Sequence, residues 1–125
     1  MKSALIFRSS LLAALLTTLS PPLVRAAEFK CNGDAVERSG STIYRVRSSG
    51  NDIAIEKSGS TKGRAVFRQD KYYVEVSGST KAIIERGTIY RSGSRWATES
   101  DAKAIFDCGT PIAQTLWVLR MTNDL

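Results

Sequence analysis

The chain has 125 residues, 42% of them hydrophobic, with 18 basic and 12 acidic side chains and no histidine. That length suits one small domain once a leader is removed, and the apolar share argues against disorder. The missing histidine takes away the commonest general base at neutral pH and the commonest metal ligand, so no cofactor or metal is expected and enzymatic activity is disfavoured.

Residues 1–26 differ from the rest. Lys2 and Arg8 precede the apolar run Leu11-Leu12-Ala13-Ala14-Leu15-Leu16, followed by Pro21-Pro22 and Val24-Arg25-Ala26. A basic start, a short apolar stretch and small residues three and one before a cut after Ala26 mark a cleaved secretory signal peptide. Leu11 to Leu19 is too short to cross about 30 Å of hydrocarbon, and the proline pair breaks it. Residues 27–125 are therefore expected as one small exported domain without a membrane anchor, in a periplasm or outside the cell. Lys2, Arg8 and Arg25 leave with the leader, so 15 basic residues then face 12 acidic ones and the net charge falls from +6 to +3. Half of the basicity belongs to the export signal, and no nucleic-acid partner is expected.

Cys31 and Cys108, the two cysteines of the chain, lie near opposite ends of the exported part. In an oxidising compartment the simplest outcome is one disulfide closing most of the chain.

Between them, Ser-Gly-Ser-Thr occurs at residues 39–42, 58–61 and 77–80, a spacing of 19 residues. Read with Gly at the first central position, each copy predicts a type II′ hairpin turn at Gly-Ser. Further turn signals stand at Asn32-Gly33, Gly50-Asn51, Gln69-Asp70, Arg86-Gly87 and Gly93-Ser94. The segments between them, such as Thr42-Ile43-Tyr44-Arg45-Val46-Arg47, Ile53-Ala54-Ile55-Glu56 and Tyr72-Tyr73-Val74-Glu75-Val76, are rich in β-branched and aromatic residues. Apolar and charged positions tend to alternate, which gives one buried and one wet face. The fold class expected is mainly β: an antiparallel up-and-down meander of about eight short strands, as a small barrel or a curled sheet. The surroundings of the tetrapeptide are echoed as well, which favours a duplicated hairpin.

Ser100-Asp101-Ala102 and Thr110-Pro111 are helix-start signals, and Ile112, Ala113, Leu116, Trp117 and Arg120 follow at helical spacing, with Asn123 as a left-handed cap. One or two short helices are expected between Ser100 and Thr122; a final strand at Leu116-Trp117-Val118-Leu119 is the alternative.

No catalytic constellation emerges. The thiols are committed to a disulfide, the serines sit in turns, and the glycines are scattered one per turn. Glu56, Glu75 and Glu85 are the strand-borne carboxylates available for sugar hydrolysis, and strand alternation explains them more simply. Binding is the more natural class. Arginine and tyrosine are interleaved along the strands, residue types enriched in recognition patches. The candidate binding residues are Arg45, Arg47, Arg91, Tyr44, Tyr73 and Tyr90, with Arg91 related to Arg45 by the echo of Thr42-Ile43-Tyr44-Arg45 in Thr88-Ile89-Tyr90-Arg91.

An exported, disulfide-closed β-meander that opens with Phe29-Lys30-Cys31-Asn32-Gly33 and closes on a late cysteine resembles periplasmic lysozyme-inhibitor families in architecture. The inhibitors' Ser-Gly and Lys-Gly loops have no matched counterpart, so no functional residue is carried over. The expected function is a monomeric exported binding module that recognises an envelope or extracellular protein through an Arg/Tyr-rich sheet face. The alternative is a structural cell-surface component that self-assembles through strand edges.

Overall fold

The structure is a computed structural model describing residues 26–125. The leader expected over residues 1–26 lies, Ala26 apart, outside the described residues. The elements in chain order are β1 (Phe29–Asn32), β2 (Ala35–Arg38), β3 (Ser41–Ser49), β4 (Asp52–Lys57), β5 (Ser60–Arg68), β6 (Lys71–Val76), β7 (Ser79–Glu85), β8 (Thr88–Arg91), β9 (Ser94–Ala97), α1 (Glu99–Lys103), β10 (Phe106–Asp107) and α2 (Ile112–Met121).

The strands form one sheet in the order β10-β1-β2-β3-β4-β5-β6-β7-β8-β9. Nine consecutive strands make an antiparallel meander, and β10 returns to lie parallel to β1. The strand count exceeds the sequence expectation partly because β10 is a two-residue strand within the segment read as helix and loop. β9 and β10 do not pair, so the sheet is open. The reason lies inside the curl: seven successive residues of α2, Ala113 to Leu119, are all buried. Seven residues make about two turns, so α2 is covered on every side. A sheet that wraps a whole helix cannot also close on itself at small radius.

The 19-residue repeat has a structural meaning beyond its turns. Ser39 and Gly40 have φ of 54° and 82°, Ser58 and Gly59 52° and 82°, and Ser77 and Gly78 51° and 83°. Two positive φ values in a two-residue loop define a type I′ turn on Ser-Gly, not the type II′ turn on Gly-Ser expected from the sequence. The first serine of each tetrapeptide is thus a turn residue and the second begins a strand. At Gly33 and Gly50 the following residue has no positive φ, so Gly leads there in the manner of a II′ turn.

Every tetrapeptide hairpin also carries a register shift. It falls between Val36 and Glu37, between Ile55 and Glu56, and between Val74 and Glu75, again 19 residues apart. The extra residues on the partner strands are Ile43, Lys62 and Lys81, since Val36 pairs with Tyr44 and Glu37 with Thr42, and likewise onward. A β-bulge bends its strand and increases the local twist. Repetition of one bulge at one end of successive hairpins bends the sheet cumulatively around α2.

The core-facing side of the sheet follows the same period. Val36, Ile55 and Val74 are fully buried, and opposite them stand Tyr44, Gly63 and Ala82. Side-chain size falls where the helix comes closest, at Gly63. With Phe106, Ile84, Ile89, Leu116 and Leu119 these residues form one hydrophobic cluster. Trp96 and Trp117 meet edge to face with ring centroids 4.9 Å apart.

The C-terminal segment is held at both ends. Cys31 and Cys108 form the expected disulfide across a sequence separation of 77. α1 starts with a reciprocal capping box between Thr98 and Asp101. Leu116–Leu119 is helical rather than the alternative strand. The helix ends in a Schellman arrangement: the Asp124 amide donates to the Leu119 carbonyl and the Asn123 amide to Arg120, with Asn123 at φ 63°. The start of α2 departs from expectation. Thr110 gives α2 no hydroxyl N-cap; its Oγ1 donates to Glu99 and accepts from Gln114 Nε2.

Candidate functional site

Both helices pack on the core-facing side, and the opposite face of the sheet looks outward. Strand register places a straight row across that face: Val66 opposite Tyr73, Tyr73 opposite Ile83, Ile83 opposite Tyr90, and Tyr90 opposite Arg95. The four apolar and aromatic members are each partly exposed. Arg68 lies over Tyr73, its Cζ 4.2 Å from the ring centroid, while its Nη1 is 3.3 Å from a carboxylate oxygen of Glu75. The guanidinium is thus fixed on a ring face that is open to solvent.

The repeat also shapes the end of the sheet that carries the Ser-Gly turns. β3 and β4 pair only from Arg45 and Glu56 onward, so the strands splay beyond that pair and leave a notch between neighbouring hairpin tips. That notch, of about 470 Å³, is lined by Thr42, Ile43, Tyr44, Arg45, Glu56, Ser58 and Gly59. Adding 19 to each number gives the lining of a second notch, of about 260 Å³: Thr61, Lys62, Gly63, Arg64, Glu75, Ser77 and Gly78. A third, of about 710 Å³, repeats the pattern at Thr80, Lys81, Ala82, Ile83, Tyr90, Arg91, Ser92 and Gly93, with Lys71 and Glu85 beside them. The physical cause is shared: each bulge pulls its hairpin tip away from the next.

The three notches differ at one matched pair. Arg45 stands opposite Glu56, Arg64 opposite Glu75, and Ile83 opposite Tyr90. In the first two, a glutamate is engaged by an arginine, Glu56 by Arg47 at 2.7 Å and Glu75 by Arg68 at 3.3 Å. In the third, the arginine and glutamate positions are taken by an aliphatic and an aromatic side chain.

The six residues singled out from sequence separate into two groups. Arg45, Arg47, Tyr73 and Tyr90 lie on the outward face. Arg45 and Arg47 are exposed, and each holds a carboxylate, Asp34 at 3.1 Å and Glu56 at 2.7 Å. Tyr44 belongs to the core, 7% exposed, with its ring centroid 5.7 Å from that of Phe29. Burial raises its phenol pKa above the ordinary 10.0. Arg91 neighbours an outward residue along its strand and lies over Trp96, at 4.6 Å from the ring centroid. The echo of Thr42–Arg45 in Thr88–Arg91 misleads because β3 is the second strand of its hairpin and carries a bulge at Ile43, whereas β8 is a first strand. Tyr90, not Arg91, shares the face of Arg45.

Val66 and Ile83 are part of the row and were not among the residues read from sequence. A signal existed for Ile83: aligned on the 19-residue period, positions 45, 64 and 83 read Arg, Arg, Ile. Among the described residues no group of three acidic, cysteine or histidine side chains is placed to hold a metal ion, and no helix is long and apolar enough to cross a membrane. No family model matches the chain, and no curated protein or solved structure matches it.

Proposed function

We propose that this protein is an exported binding module that acts as a monomer and recognises a protein of the envelope or the extracellular space through the outward face of its sheet. One observation carries the reading: the partly exposed row of Val66, Tyr73, Ile83 and Tyr90, flanked by Arg68 and Arg95, lies on the side of the sheet away from both helices. Aromatic and arginine side chains concentrate binding energy because they combine large contact area with few rotors and directional charge. The Cys31–Cys108 bridge and the leader over residues 1–26 support export.

The experiment is in-cell cross-linking of the secreted protein, followed by affinity measurement on the purified partner. Tyr73→Ala should weaken that affinity about tenfold or more. A partner bound equally by wild type and Tyr73→Ala rules this face out. Self-assembly through the β9 edge is the competing reading; a four-residue edge strand bearing exposed Arg95 is poorly suited to strand addition. A sedimentation series over a wide concentration range separates the two, since the binding module stays monomeric throughout.

A further inference from the structure

We infer that the third notch is a docking site for an extended, acidic peptide segment of a partner protein; this rests on the binding-module reading above and names the chemistry its partner must present. The repeat supplies an internal comparison. The same Ser-Gly turn and bulge form the first two notches around the cross-strand neighbours Arg45/Glu56 and Arg64/Glu75, so the hairpin architecture accepts an arginine opposite a glutamate at this position. Ile83 and Tyr90 are partly exposed, and their side chains floor the notch with apolar surface where the first two carry an arginine opposite a glutamate.

Charge points to the occupant. Lys71, Lys81 and Arg91 line the third notch, with Glu85 as its acidic residue. Among the described residues none of these four takes part in an ion pair within 4.0 Å. Glutamates 56 and 75 of the other notches are both held by arginines. Lys62 and Arg64 of the second notch likewise have no ion pair among the described residues, so the third is set apart by an apolar floor beside its cations, a pattern complementary to carboxylates alternating with apolar side chains.

The backbone favours a peptide over a sulfated sugar. Ladder pairing between β7 and β8 runs from Glu85–Thr88 to Ile83–Tyr90 and goes no further. Thr80–Ala82 therefore have no ladder partner on β8 across the notch, as Thr42–Tyr44 and Thr61–Gly63 have none on β4 and β6. An extended chain entering the notch adds backbone pairing there while its alternate side chains meet the floor and the cations.

The test uses the secreted, disulfide-bonded protein and a synthetic peptide alternating glutamate with leucine and phenylalanine, followed by NMR shift mapping and titration. Shifts should cluster at residues 80–93, and the same peptide with lysine for glutamate should not bind. The double substitution Ile83→Arg/Tyr90→Glu places the arginine and glutamate that the fold already carries at the two matched positions, so the chain stays folded; it should weaken the peptide about tenfold or more. Arg64→Ile/Glu75→Tyr should create new shifts at residues 61–78. Absence of binding, equal binding of the lysine peptide, shifts spread over all three notches, or preference for a sulfated oligosaccharide would each overturn the proposal. If Lys71→Ala/Lys81→Ala, which touches the notch and not the row, leaves a cross-linked partner untouched while Tyr73→Ala weakens it, the notch fails and the sheet-face reading stands. If neither substitution matters, both fall.

Discussion

Leu119 of α2 lies directly on Gly63 of β5: a Cβ at position 63 would come within 2.5 Å of Leu119 Cδ2 and 2.9 Å of Cδ1. This contact sets how closely the helix approaches the sheet that wraps it. It also explains why the core position filled by Tyr44 in the first hairpin is empty of side chain in the second.

Gly63→Ala should destabilise the protein by about 1–3 kcal/mol through overpacking. Leu119→Ala alone should cost about 2–5 kcal/mol through the cavity it leaves. Combined, the two should cost clearly less than their sum, because the small residue at 119 makes room for the methyl group at 63. Urea denaturation of the four proteins measures this coupling, and strict additivity would show that the two positions do not share a contact.

The type I′ turns give a second expectation. The serines at 39, 58 and 77 sit at φ of 51–54°, a region that asparagine tolerates better than serine. Ser58→Asn should stabilise by about 0.5 kcal/mol, and Gly59→Ala, at φ 82°, should destabilise by about 1 kcal/mol. A type II′ turn on Gly59-Ser60 would make position 58 indifferent to this change, so equal melting temperatures for Ser58→Asn and wild type count against the turn assignment.

The disulfide spans 77 residues, and the loop-entropy argument gives about 4 kcal/mol for a closure of that size. Replacing Cys31 and Cys108 by serine should lower the urea midpoint by a corresponding amount and release the C-terminal segment first, since β10 pairs with β1 through only two residue pairs. Hydrogen exchange at Phe106 and Asp107 reads this directly. Unchanged protection in the double serine variant would mean that packing alone holds the segment.

Acid should weaken the contact between the entry to β1 and α2. Glu28 is held by Arg120 at 2.9 Å and by Arg38 at 3.2 Å. The hydrogen bond from Arg120 is the main cause that lowers its pKa below the ordinary 4.5. A folded-state value below the unfolded one means that the stabilisation is complete above about pH 4.5 and disappears as pH falls through the lowered value. The carboxylate is 40% exposed, so solvent screening limits the effect to about 1 kcal/mol or less. Glu28→Gln should therefore be less stable than wild type at neutral pH and equal to it in stronger acid. A stability gap that persists in strong acid would assign the loss to packing instead.

The sequence by itself determined most of the elements, the two-residue β10 excepted. Turn residues at short intervals, β-branched runs between them, a cysteine on either side of those runs and a helical apolar pattern at 112–120 are local signals, and local chemistry decides them: Gly for positive φ, alternation for a half-buried strand, Asn123 for a helix end. The repeat was legible as a period of 19 residues, but its bulges were not. An extra residue in a strand leaves no mark in composition and is defined only by what stands opposite it. For the same reason Tyr44 and Arg91 read as surface binders from sequence, while register sends one into the core and sets the other over Trp96. Tertiary structure decided that the sheet stays open around α2, that Gly63 receives Leu119, and that three notches recur along one end with Ile83 and Tyr90 in the last. Each of these depends on which strands face each other and on which side the helix lies, and no residue carries that information alone.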